Sequence, residues 1–328
     1  MSLKNINYTI WCDFIEREFL EQDFKNYINS QMIHGATSNP AIFEQAITKS
    51  PAYIEQIKTL KDKTAKEIYE ILAMQDIKRA AELLLPLYER DQNDGFISLE
   101  VDPKLCNDAL GTIEEGARLF ESINMPNVMI KIPATEAGYV AMRELTKMGV
   151  NVNATLIFSP EQTKNCAKAL DDGIKQSQKT TKGVVSVFVS RFDRIADEKL
   201  PNEKKAKLGI INATKCYYEV RNIKNENIRI LFASTGVKGD SLSANYYINE
   251  LAFENCVNTA PLGALNAWIE NQDKTMAQIP SIEQCEEFLD SMKNHDIDLN
   301  KLYNDLLNDG LKSFVESFDN ILEKLNQQ

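Results

Sequence analysis

Eight short apolar runs recur along this chain of 328 residues, separated by stretches of helical periodicity. The runs are YTIWCD (8–13), QMIHGA (31–36), GFISLEV (95–101), NVMIKI (127–132), NVNATLIF (151–158), GVVSVFV (183–189), RILFAS (229–234) and NCVNTA (255–260). That alternation predicts strand–helix repetition and a parallel sheet. Eight is the number of strands that closes a (β/α)8 barrel. Periodicity does not separate a closed barrel from an open doubly wound sheet. However, no G-x-G-x-x-G follows the first run, which removes the main reason to expect a dinucleotide fold. The expected class is therefore α/β, a (β/α)8 TIM barrel.

Helix signals fall between the runs. SPEQ at 159–162 reads as a helix start, with Ser159 as cap, Pro160 in the first turn and Gln162 completing a capping box. Asn39-Pro40 opens a helix in the same way. Ile68, Ile71, Leu72, Leu83 and Leu84 recur at helical spacing, with Asp76 expected to cap the second of two helices. Leu302, Leu306, Phe314, Phe318 and Leu322 mark a helical tail, with a break expected at Asp309-Gly310. No segment reads as a linker. One barrel domain over 1–328 is expected, with a helical insertion at about 45–92 and a helical C-terminal extension at about 280–328.

Bulk charge narrows the function. Lys and Arg number 37 against 48 Asp and Glu, a net charge of −11, which argues against nucleic acid and against anionic membranes as partners. A local basic pocket for a small phosphorylated molecule remains compatible with that balance. No apolar run approaches the ~18 residues of a membrane span. The first residues, MSLKNINYTIWC, lack an apolar signal-like core. Six scattered cysteines without a C-x-x-C pair, and only two histidines, offer little to a metal. A reduced, cytoplasmic protein with no metal site is the expectation.

One lysine stands in a run that otherwise reads as buried strand: Lys131, in NVMIKIPATEAG. Lysine is seldom fully buried unless paired. Burial disfavours an ammonium relative to the free amine, and a free amine attacks carbonyl carbon to form a Schiff base. The protonated imine then draws electrons from an adjacent carbon–carbon bond. The structural alternative is a salt bridge from Lys131 to Glu100 or Asp13.

Other polar residues occupy strand positions that should face the barrel interior. In the fifth run Asn151, Asn153 and Thr155 share one parity, while Val152, Ala154 and Leu156 share the other and are expected outside. In the sixth, Ser186, Phe188 and Ser190 are expected inside, and Val185, Val187 and Val189 outside. Asp13, Glu100, Lys131 and Ser234 fall late in their runs, toward the end where barrel enzymes build their sites. Asp13 suits a base for a substrate hydroxyl, or a cap ahead of FIEREF. Glu100 and Thr155 can together hold a proton-shuttling water; the alternatives are the salt bridge and a hydroxyl bonded within its strand. Asn39 is a helix cap or a substrate contact, and the inward amide of Asn153 leans to the latter. Arg191 in VSRFD, with Ser234, Thr235, Gly236 and Lys238 in ASTGVK, suits an anionic group. The alternative for Arg191 is pairing with Asp193 or Glu198.

GATSNPAIF, SLEVDP, VMIKIPAT, NVNATLIFS, SRFD and ASTGVK, in this order and spacing, resemble the transaldolase family. The resemblance runs from about residue 8 through VNTAPLGAL near 265. It implies a class I, Schiff-base-forming (β/α)8 transferase of the pentose phosphate pathway that needs no cofactor and takes sugar phosphates. By motif matching it makes Lys131 the imine-forming lysine and Asp13 the acid/base for carbon–carbon cleavage. Glu100 and Thr155 match the pair that positions the catalytic water. Asn39, Asn153 and Ser186 match residues that hold the hydroxyls of a dihydroxyacetone unit. Arg191 matches the phosphate arginine, with Ser234 and Lys238 beside it. Phe188 stands where shorter, fructose 6-phosphate aldolase-like lyases tend to carry a tyrosine, which favours transfer over release of free dihydroxyacetone. Two departures are visible. GDSLS follows ASTGVK where relatives commonly carry an Asn-Pro loop, and Phe14 follows Asp13 where an acidic residue is frequent.

Overall fold

The computed structural model describes residues 6–239, 241–271 and 276–327. Its eight strands are β1 (Thr9–Cys12), β2 (Gly35–Thr37), β3 (Phe96–Glu100), β4 (Val128–Pro133), β5 (Asn151–Ile157), β6 (Gly183–Phe188), β7 (Ile228–Ala233) and β8 (Cys256–Ala260). They pair in parallel and in sequence order, and β8 closes on β1 through Thr9 opposite Val257 and Cys12 opposite Ala260. The barrel is thus closed. No helix among the described residues is long and apolar enough to cross a membrane.

Strand parity divides the core in two. Ile10, Ile97, Leu99, Ile130, Val152, Val185, Val187, Ile230 and Cys256 point outward and pack with the surrounding helices. Trp11, Phe96, Met129, Val184, Leu231 and Val257 fill the interior. Such a barrel is a packed core rather than a pore. Gly35 makes room for the largest interior ring, since a Cβ there would stand 2.7 Å from the Trp11 indole.

Four local expectations fail for identifiable reasons. The second run is strand only from Gly35: Gln31 adopts a left-handed φ of 56°, and Met32 N–H turns back to the carbonyl of Tyr27. Asp76 caps nothing. It lies inside one continuous helix, Ala65–Arg90, opened by a capping box between Thr64 and Glu67. Asp76 instead accepts hydrogen bonds from Arg17 Nε and Tyr53 Oη, both at 2.8 Å. The tail helix, Leu299–Asn326, runs unbroken through Asp309-Gly310. Finally, Leu156 does not face the outer helices. A register shift between Ala154 and Ile157 and a left-handed φ of 55° at Leu156 turn its side chain into the inner cluster beside Phe158 and Phe188.

The tail helix forms a roof over the carboxyl end of the barrel. Leu302, Leu306 and Phe314 join the inner cluster, whereas Phe318, Ile321 and Leu325 join the outer one. Phe318 meets the Tyr69 ring of the insertion helix edge-on at 5.2 Å. At the other end Tyr303 donates to Asn212 Oδ1 at 2.9 Å and meets the Phe192 ring.

Candidate active site

Parallel strands deliver their inward side chains to a common mouth, and most of the sequence-selected residues meet there. A cavity of about 230 Å³ is lined by Asp13, Thr37, Asn39, Lys131, Thr155, Ser186, Phe188, Arg191, Ser234 and Thr259, with Ser313 and Phe314 contributed by the roof helix. A larger groove of about 730 Å³ near Phe288 includes none of the residues singled out in the sequence.

Lys131 lies deep, 6% exposed. Its Nζ donates to the Ser38 carbonyl at 2.9 Å, and Glu100 Oε2 stands 3.9 Å away on the neighbouring strand. The anticipated ion pair with Glu100 therefore exists, but at the outer limit of contact. Both Glu100 oxygens and the Thr155 hydroxyl are buried without a hydrogen-bond partner among the described residues. Buried polar atoms seldom stay unsatisfied, and those that do deserve a functional reading. Burial is the main force on Glu100; with Asp13 adding to it and Lys131 opposing it, the carboxyl is pushed up to about 7.

Asp13 directly follows β1 and does not cap the following helix, a role that Glu16 takes through Phe19 N–H. Its carboxylate accepts from the Thr37 hydroxyl at 2.6 Å, and Thr37 in turn lies 2.6 Å from the Thr259 hydroxyl. With its proton committed to Asp13, Thr37 accepts from Thr259. Burial raises the Asp13 pKa above the ordinary range, opposed by Lys131 and by the Thr37 hydrogen bond.

A second polar chain runs beneath the cavity. Ser186 Oγ donates to Asn153 Oδ1 at 2.6 Å, and Asn153 Nδ2 donates to Ser98 Oγ at 3.0 Å. Asn39 caps the helix Pro40–Lys49 through Ile42 N–H and also lines the cavity. Fixed as a cap, its amide is held in place at the site.

Arg191 occupies the mouth. Asp193 is not its partner, because that carboxylate accepts from Gly209 N–H at 2.9 Å and Tyr247 Oη at 2.8 Å. Glu198 makes no ion pair with it either, so no hydrogen bond or ion pair holds the guanidinium among the described residues. It rests over the Phe188 ring at 5.1 Å and near Phe158 at 5.9 Å. Burial and the neighbouring Arg194 lower its pKa, with Asp309 opposing. Ser234 sits beside it at a left-handed φ of 54°, its hydroxyl 3.3 Å from that of Ser190. A non-glycine residue in that region is costly and recurs at functional sites. Lys238 is not brought in: it is exposed and lines no part of the cavity. Asp240, in the GDSLS segment, lies outside the described residues.

Sequence reasoning missed Thr37, Thr259, Ser313 and Phe314. The two threonines have inward strand parity and could have been found by that signal. The roof residues could not, because nothing local says where a terminal helix docks.

A closed (β/α)8 barrel with a buried lysine and two carboxylates at its carboxyl mouth has the architecture of an enzyme of the barrel class. The chain belongs to the transaldolase/fructose-6-phosphate aldolase family, whose profile matches residues 10–325. It is 49% identical over 315 residues to a transaldolase of Helicobacter pylori strain Shi470, covering 96% of this chain and 98% of that one. It is 45% identical over 332 residues to a transaldolase of Campylobacter jejuni subsp. jejuni, covering 97% and 99%. A solved fructose-bisphosphate aldolase of Campylobacter jejuni aligns with 99% of this chain and 91% of its own at 9% identity and a TM-score of 0.42, too slight a likeness to count beside the closed strand order.

Proposed function

We propose that this chain transfers a dihydroxyacetone unit from sedoheptulose 7-phosphate to glyceraldehyde 3-phosphate through a Schiff base at Lys131, as a cytoplasmic enzyme of the pentose phosphate pathway. The observation that carries the reading is the position of Lys131 Nζ, enclosed deep in the cavity between Glu100 and the Asp13 end of β1, with an unpaired guanidinium at the mouth. The 45–49% identity to transaldolases over nearly the whole chain supports it.

Lys131 attacks the C2 ketone as a free amine and gives a carbinolamine. Glu100, its carboxyl pushed up to about 7 by burial, delivers a proton to the departing hydroxyl, with Thr155 holding the water that relays it. Asp13 takes the proton of the C4 hydroxyl, and its burial makes it a stronger base than a surface carboxylate. The C3–C4 electrons then flow into the iminium, leaving an enamine on Lys131 and releasing erythrose 4-phosphate. The incoming aldehyde is attacked by the enamine carbon. Asp13 returns its proton to the new hydroxyl, and hydrolysis frees fructose 6-phosphate and the amine. Asn39, Asn153 and Ser186 hold the hydroxyls of the three-carbon unit, and Arg191 with Ser234 holds the phosphate. Lys238 stands outside this set.

Phe188 separates transfer from lyase chemistry. Its ring lies against the cavity with no hydroxyl to protonate the enamine and let it go. The test compares product formation with and without an acceptor aldehyde. Turnover that depends on glyceraldehyde 3-phosphate and disappears in Lys131→Ala is expected; equal release of free dihydroxyacetone without acceptor would make the chain a lyase.

A further inference from the structure

Gly310 has no part in the chemistry above, yet it sits in the middle of the roof helix, where glycine costs helix stability relative to alanine. The helix continues through it, so the reason must lie in what the residue faces. A Cβ at 310 would stand 2.9 Å from Leu156 Cδ2 and 3.5 Å from Arg191 Nη1. The first distance is well inside carbon–carbon contact, which is optimal at about 3.5–4.0 Å. The second is ordinary contact.

Leu156 is fully buried at a left-handed φ, wedged among Phe158 and Phe188 by the β5 bulge. The helix is tied on both sides of Gly310, by Tyr303 on Asn212 and by Phe318 on Tyr69. The Arg191 guanidinium rests on the faces of the same Phe158 and Phe188 rings. A methyl group at 310 overlaps Leu156 and not Arg191, so a displaced Leu156 reaches the guanidinium through Phe158 and Phe188.

We propose that Gly310 is a positioning residue for Arg191: its missing side chain lets the roof helix settle on Leu156 and fixes how far the guanidinium reaches over the cavity mouth. The helix thereby tunes recognition of the substrate phosphate while standing clear of the reacting carbons. This inference rests on reading Arg191 as the phosphate cation.

The experiment compares glyceraldehyde 3-phosphate with unphosphorylated glyceraldehyde as acceptor, with sedoheptulose 7-phosphate held at saturation for each variant so that its own phosphate contact does not enter the comparison. In Gly310→Ala, KM for the phosphorylated acceptor is expected to rise about tenfold with kcat held within about threefold, while the constants for glyceraldehyde stay unchanged. Leu156→Ala removes the other side of the same contact without adding a clash, so it gives the same signature should the added methyl group prevent folding. In an Arg191→Ala background, Gly310→Ala is expected to add nothing further. Equal losses for both acceptors, or additive effects in the double variant, overturn the inference while leaving Arg191 as assigned. A phosphate preference that survives Arg191→Ala overturns the assignment of Arg191 and the inference with it.

Discussion

Replacing Glu100 with glutamine keeps the shape of the side chain and removes its titration. The carboxyl, 7% exposed, is pushed from 4.5 to about 7, chiefly by burial. At about 1.4 kcal/mol for each tenfold change in proton affinity, that displacement corresponds to about 3 kcal/mol. Its sign follows from the raised value. Glu100 contributes fully to stability below pH 4.5, where it is protonated in both folded and unfolded chains, and that contribution is lost as pH rises through 7. Glutamine never ionises, so stability of Glu100→Gln relative to the parent is expected to climb by about 3 kcal/mol between about pH 4 and pH 8, then level off. Asp94 and Asp193 are also raised by burial but remain in both proteins, so to first order they cancel in the difference. Urea unfolding of both proteins at a series of pH values measures this directly. A difference that stays flat across the range, or falls with pH, would refute a carboxyl held near neutrality by burial. Turnover should move the other way, since Glu100→Gln is expected to slow imine formation by about 10²–10⁴-fold.

Two further perturbations test neighbouring parts of the structure. Thr37→Val removes the hydrogen bond that helps keep Asp13 ionised, so the acid limb of the cleavage rate should move to higher pH; an unmoved limb would separate Thr37 from Asp13. Asp76→Ala leaves Arg17 without its carboxylate and Tyr53 without its acceptor, and should cost about 3 kcal/mol in chemical denaturation. A loss below about 1 kcal/mol would show that the pair is as weak as a surface ion pair.

The barrel was legible because each strand is a short apolar run that must be buried, and the interior chemistry showed as polar residues at inward parity. Where that reading failed, the deciding contact was distant or the spacing rule had been broken. The bulge at Leu156 inserts an extra residue into the count, so strict alternation sends the side chain to the wrong face. Asp76 looks like a cap because its partner Arg17 is 59 positions away in the chain. Gly310 looks like a break because Leu156, which it accommodates, belongs to another element altogether. Lys238 shows the converse error. A basic residue within a site motif can still stand exposed, away from the cavity its neighbours line.

Mass spectrometry of the protein reduced with borohydride in the presence of a ketose phosphate tests the central claim most directly. A three-carbon, dihydroxyacetone-derived adduct on Lys131, and on no other lysine, is the expected result. An intact, unmodified chain that still turns over substrate, or an adduct on a different lysine, would contradict it.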